Sequence, residues 1–336
     1  MKRSVKIVLI AGIIFAGVLL VTAAARADTA LKDANTALFE QFERVHDPDP
    51  ARLDRVKAIF TRSGFIGQGN SAITRHPMTP AQCRATLPAT LDDAEDRRIC
   101  GDRYMAPLFD PQTQSPEDAK ACIDQFEFPN IPCTYPVVWT KAAEAAEICS
   151  ALGKRMCDAH EWEGACAGAL EPADYRFDLA AGQSASGAVA RMRAAHNRKY
   201  APGKRWSYGT AYRTGICAAN SRKSSTCQGG GYRSCGSNTY PTGSFPECRS
   251  ALGVYDINGN AAEHMNLPLK SDQMASAGST ELGVTEMKGS WFIFDRYRAH
   301  PDWCRWRAPY WHGSRVKSRG SHANYHLGFR CCKTLD

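Results

Sequence analysis

Fourteen cysteines, every one of them beyond residue 82, constrain this chain more than any other feature of its sequence. They form an even set in a chain of 336 residues that opens like an export leader, and in an oxidising compartment such a set favours seven disulfides. None is spaced as Cys-x-x-Cys, the usual mark of a zinc ribbon or a thioredoxin-like redox pair. A cross-link that closes a loop of this chain's longer spacings contributes roughly 4 to 5 kcal/mol in the chain-entropy model. Staples of that size allow an irregular, loop-rich fold. By position, Cys217 is expected to pair with Cys248 and Cys149 with Cys157, although spacing does not fix connectivity.

The leader itself is basic at Met1-Lys-Arg-Ser-Val-Lys6, almost wholly apolar over residues 7–25, and supplies small residues for an export peptidase at Ala25-Arg-Ala27. Residues 1–27 therefore read as a cleaved export signal, which sends the protein to the periplasm or out of the cell. Left uncleaved, the apolar run is long enough to anchor it to a membrane. Removing Lys2, Arg3, Lys6 and Arg26 takes the net charge from +8 to +4, too modest to argue for a nucleic-acid partner.

Residues 28–82 hold no cysteine and show helical spacing at Leu38, Phe42 and Val45 and again at Leu53, Val56 and Phe60, which predicts a helical extension packed on the main domain. The disulfide-rich domain runs from 83 to 336. Within it Thr140 is placed to cap a helix from Lys141 to about Leu152, stopped by Gly153, and Asp158 with Glu161 resembles a capping box for a second helix through Cys166. Beyond residue 170 the chain is rich in Gly, Ser, Pro, Tyr and Trp with only short extended runs, and residues 170–204 read as a surface excursion without chemistry.

Two patterns carry chemistry. The run Gly253-Val-Tyr-Asp-Ile-Asn-Gly-Asn-Ala-Ala-Glu263 concentrates oxygen ligands and backbone carbonyls in one polar turn, which suits a hard cation such as calcium. From residue 288 onward ten Lys or Arg accompany three Asp, interleaved with Trp291, Trp303, Trp306 and Trp311. Aromatic faces beside Arg305 and Arg307 suit a peptide, carbohydrate or anionic small molecule through stacking and bidentate hydrogen bonds. The competing reading makes the tryptophans core and leaves the arginines solvated. His322 and His326, four apart in a loop without an accompanying Glu, read as unliganded surface histidines. There is no nucleophile elbow, phosphate loop or dinucleotide fingerprint.

Three blocks occur in order: Pro136-Val-Val-Trp-Thr-Lys-Ala-Ala143 through Gly153–Gly168, then Gly253–Glu263, then Gly289-Ser-Trp291 with Leu327-Gly-Phe-Arg-Cys-Cys332. Over about residues 120–332 the chain resembles the formylglycine-generating enzyme, or sulfatase-modifying-factor, family. The resemblance implies an α+β fold, a variant of the C-type-lectin-like fold with little regular structure and structural calcium. It places calcium ligands at the Asp256 side chain, the Gly259 and Ala261 carbonyls and the Glu263 carboxylate, and begins a second site at Asn220. It pairs Cys166 with Cys331, which leaves Cys304 to Cys332. It sets Ser290 at the active-site serine. The family's oxidases hold copper between two thiolates, which suit that soft metal; here the first position falls at Ile293 and Cys304 lies near the second, so the pair is incomplete. Two functions follow as expectations: an exported oxidoreductase acting on a peptide, protein or small molecule through Ser290 and Cys304, or a non-catalytic, calcium-stabilised binding module that displays Trp291, Trp303, Arg305, Trp306 and Arg307.

Overall fold

A helical hairpin opens the computed structural model, which describes residues 29–88, 91, 94–227, 230–308 and 314–335. The leader and Trp311 lie outside the described residues. Helix α1 covers 29–46, and α2 covers Pro50–Ser63. Asp49 caps α2, its carboxylate accepting the Arg52 N–H, Pro50 sits at the first turn, and Gly64 ends the helix in the left-handed conformation. Leu38, Phe42, Leu53, Val56 and Phe60 pack against Phe128, Ile131, Val137 and Ile148 of the main domain, so the extension shares its core instead of standing off as a spacer.

The remainder is α+β with short elements. Helices α3 (Pro80–Arg84) and α4 (Ala94–Cys100) precede strands β1 (Met105–Leu108) and β2 (Ala121–Asp124). Then come α5 (Ala142–Ala151), β3 (Arg155–Met156), α6 (Ala159–Ala167), α7 (Ala185–Tyr200) and strands β4 (Ala262–Leu267), β5 (Val284–Lys288), β6 (Leu327–Gly328) and β7 (Cys331–Thr334). The strands form one sheet in the order β1-β2-β7-β3 and another in the order β5-β4-β6. The cap of α5 is Lys141, not Thr140: the Lys141 N–H donates to Glu144 Oε2, and the Thr140 carbonyl instead accepts from the buried His264 ring. At α6 the Glu161 carboxylate accepts the Asp158 N–H, the reaching-back half of a capping box.

All fourteen cysteines are paired. Cys217 joins Cys248, and Cys83–Cys133, Cys100–Cys122 and Cys227–Cys235 close the smaller loops. The other expected pairings are corrected: Cys149 binds Cys331, Cys157 binds Cys332 and Cys166 binds Cys304. Strand geometry explains the exchange. Successive side chains of a strand point to opposite faces, so Cys331 enters the cluster that holds Cys149 and the hairpin, whereas Cys332 enters the one that holds Cys157, Cys166 and Cys304. Antiparallel pairing of β3 with β7 sets Met156 opposite Cys331, so Cys157 and Cys332, one on either side of that pair, both point to the opposite face and meet there diagonally.

The segment 170–204 is likewise not a surface excursion. Helix α7 buries Val189, Met192, Arg193 and His196 and docks beside β4 and β5, with Val189 and Met192 touching Leu267 and Val284.

Peptide mapping without reduction is expected to recover Cys149–Cys331, Cys157–Cys332 and Cys166–Cys304; a Cys166–Cys331 peptide would overturn this topology. The joint between hairpin and domain is expected to be acid-sensitive. His46 donates to the Pro129 carbonyl and His76 stacks on Tyr135, and burial lowers both imidazoles to about 4. Their folded pKa lies below the ordinary value, so the unfolded chain binds the extra protons. Stability present above the unfolded pKa is lost as pH falls from about 6.5 toward 4, and urea unfolding of the protein against His76→Gln should show that loss reduced in the variant.

Candidate functional site

The polar turn from Gly253 to Glu263 reverses through backbone conformations that few residues accept. Asp256, Gly259 and Asn260 have φ of 55°, 123° and 53°, and a Cβ at Gly259 would stand 3.1 Å from the Ala218 carbonyl oxygen. The reversal delivers polar groups inward. Asn260 Nδ2 donates to Glu127 Oε2 and the Ala261 N–H to Glu127 Oε1, both at 2.7 Å. The Gly243 N–H donates to Asp256 Oδ2, whereas Asp256 Oδ1 is buried without a hydrogen-bond partner among the described residues.

Glu263 is gripped by Arg330, with Nε donating to Oε2 and Nη2 to Oε1, each at 2.7 Å, while Trp162 Nε1 donates to Oε2 at 2.9 Å. Arg330 thus pairs with Glu263 and also feels the charge of two further buried carboxylates, Glu127 and Asp256. Burial, reinforced by the neighbouring Asp256 and Glu263 charges, drives Glu127 well above the ordinary carboxylate range, and burial also pushes Asp256 up to about 7.

This geometry tests the calcium set. Asp256 fits a hard cation, because one of its oxygens is buried without a partner among the described residues and another carboxylate, Glu263, lies close by, and the Gly259 and Ala261 carbonyls belong to the same turn. Glu263 does not: both its oxygens are committed to Arg330 and Trp162. Asn220 is exposed and its carbonyl accepts from Arg296 Nε at 3.3 Å, so it stands on the surface as a hydrogen-bonded loop residue. Among the described residues no three His, Cys, Asp or Glu side chains converge as a metal cage.

The expected catalytic pair fails at its cysteine. Cys304 is bonded to Cys166 and packs with Cys157, Cys332 and Trp162, whereas Trp291 and Ile293, either side of Phe292, pack in a separate cluster with Val138, Trp139 and Tyr325. A disulfide sulfur is neither thiolate nor copper ligand, which corrects Cys304 as a catalytic residue. Ser290 is buried, and its hydroxyl has no hydrogen-bond partner among the described residues. Beside it runs an aromatic column. His326 stacks on Trp291 with centroids 4.4 Å apart, Trp291 faces His300 at 5.4 Å, and His300 stacks on Trp306 at 4.8 Å. His326 is therefore part of the core and not a surface histidine; His322 remains exposed.

Among the described residues the expected set Trp291, Trp303, Arg305, Trp306 and Arg307 forms no displayed surface either. Trp291 and Trp303 are buried, Trp306 is half-buried, and Arg307 is sealed inside a charge network. Glu163 Oε1 accepts from Lys288 Nζ and Arg307 Nε, both at 2.9 Å, and Arg307 exchanges two hydrogen bonds with the Asn197 side chain on α7. Burial alone would raise Glu163, but Arg307 and Lys288 overcome it and hold the carboxyl far below its usual range. Arg305 fares differently. Its guanidinium lies 4.9 Å from the centre of the Tyr200 ring and pairs with Glu171 at 2.9 Å, and with Trp303 and Arg205 it lines a cavity of about 250 Å³.

Sequence reasoning missed Glu127, Glu163, Lys288 and Arg330 as organising charges. A signal existed for two of them: Glu127 interrupts an aromatic run between Phe126 and Phe128, and Arg330 lies between Phe329 and the cysteine pair.

Comparison with known proteins adds the remaining observation. The sulfatase-modifying factor enzyme 1-like domain matches residues 72–335. Among solved structures, CarF shares 13% identity over 64% of this chain and 87% of its own, with a TM-score of 0.37. PvdO from Pseudomonas aeruginosa shares 18% over 60% of this chain and 62% of its own, with a TM-score of 0.30. No curated protein matches the chain significantly. Because the domain match spans the polar turn, the Gly-Ser-Trp segment and the terminal cysteines together, the chain belongs to the sulfatase-modifying factor enzyme 1-like family.

Proposed function

We propose that this chain is an exported member of the family that binds a ligand and does not oxidise one. The observation that carries the reading is the cysteine inventory: all fourteen are in disulfides, including Cys304, and Ile293 is an apolar residue. Copper(I) held between thiolates needs free cysteine sulfur, so the donor set does not fit that metal. Seven disulfides are also what export into an oxidising compartment favours. Ser290, the position matching the family's serine, has a buried hydroxyl with no partner among the described residues to activate it.

What remains is a rigid scaffold with a cavity. The pocket beside Trp303 and Arg305 lies just below the range of about 300–1,000 Å³ common for drug-sized ligands, which fits a polar molecule of about one sugar ring or a single side chain of a peptide. Its Arg305 is pre-set by Glu171, Tyr200 and the Ala169 carbonyl, and the Cys166–Cys304 bond ties two of its walls together. Calcium belongs to the same reading as a structural ion: Asp256 Oδ1 and the carbonyls of Gly259 and Ala261 would hold it, and its charge would offset the surplus of carboxylate around Arg330.

Alkylation without reduction, followed by intact mass, is expected to add no label to the folded protein, and copper(I) is expected to produce no oxygen uptake. A labelled Cys304 or copper-dependent uptake would return the oxidase reading. Calcium is expected to raise the melting temperature of the protein stripped with chelator and to leave Asp256→Asn unchanged; an equal response of both, or none in either, removes the ion from the turn.

A further inference from the structure

We infer that the open pocket above Ile293 is a binding site for a small organic anion carrying two or more negative charges. The pocket has a volume of about 380 Å³ and is lined by Ser221, Arg222, Lys223, Ile293, Arg296 and Tyr297. Three of these six residues are cations, and no carboxylate lines the pocket among the described residues. None of the three is in an ion pair among the described residues.

The backbone beneath these side chains is fixed. The Ser221 N–H donates to the Phe292 carbonyl at 2.7 Å, the Asp295 N–H to the Ala219 carbonyl at 2.8 Å, and Asn238 Nδ2 to the Arg222 carbonyl at 2.8 Å. The Arg296 and Tyr297 N–H groups both donate to the Ile293 carbonyl, which closes a tight turn over the floor. Asp295 is the acid nearest in sequence to Arg296, and its carboxylate is turned away, accepting from the Tyr212 hydroxyl and the Gly215 N–H. The charge of Arg222, Lys223 and Arg296 is thereby left for a ligand. Guanidinium groups bind phosphate and carboxylate bidentately, and the ammonium adds a point charge. Tyr297, 61% exposed, offers a ring face at the mouth. The chemistry shared by a phosphate ester and a polycarboxylate is what this pocket selects: several anionic oxygens within the span of three cations.

This site differs from the cavity beside Trp303 and stands whether or not that cavity binds anything. The test is isothermal titration calorimetry of the full chain with pyrophosphate, citrate and acetate at low and high sodium chloride. Pyrophosphate or citrate is expected to bind, more weakly as salt rises, and the stronger of the two names the ligand class. Acetate, with one charge, is not expected to bind. The double variant Arg222→Gln/Arg296→Gln changes two exposed side chains and should lose at least about tenfold in affinity, the scale of a charge-assisted hydrogen bond. No heat with either polyanion, equal binding of acetate, or undiminished binding by the folded double variant would overturn the proposal.

Discussion

Arg330 satisfies all five of its N–H donors inside the protein, and most of the architecture converges on it. Nε and one Nη2 bond reach Glu263 on β4, two Nη1 bonds reach the Asp124 and Gln125 carbonyls at the end of β2, and the second Nη2 bond reaches the Tyr255 carbonyl in the polar turn. A single side chain thus joins both sheets and the irregular segment between them. Removing one partner of a buried pair strands the other and costs about 3–5 kcal/mol, which makes Arg330 a cross-link of the same order as one of the disulfides. The next residue extends the junction: the Cys331 N–H donates to Asp124 Oδ2, and Asp124 also accepts from Lys154.

The same economy governs the other interior charges. Glu163, Lys288 and Arg307 form a sealed group that α7 closes through His196 and Asn197. Short strands and long turns cannot bury enough apolar surface in regular layers, so the fold relies on disulfides and fully bonded charges to fix its loops. That arrangement explains why Trp291, Trp303, Lys288, Arg307 and Arg330 of the C-terminal stretch face inward: the cations complete buried carboxylates of α6 and β4, and the rings fill the spaces between.

Function is constrained by where the fold leaves something unmatched. Thiol chemistry is closed off, since Cys304 is a structural half-cystine. Among the described residues Asp256 Oδ1 lacks a hydrogen-bond partner and the cations above Ile293 lack an ion pair, and both features invite a ligand by charge and not by covalent reactivity.

The sequence by itself determined the class of fold, the helical character of the extension, the turn at Gly253–Glu263 and the pairing of Cys217 with Cys248, because each depends on local spacing, a recognisable block of residues or near neighbours in the chain. Tertiary structure alone decided the rest. Which of two adjacent cysteines meets Cys149 depends on the face of β7 from which each points, a consequence of register and not of distance along the chain. Whether Arg307 is solvated or sealed depends on a carboxylate 144 residues away. Whether Glu263 is free for a cation depends on an arginine 67 residues further on. Long-range pairing of charge and sulfur carries no periodic trace in sequence, and this protein assigns its buried polar groups almost entirely by such pairing.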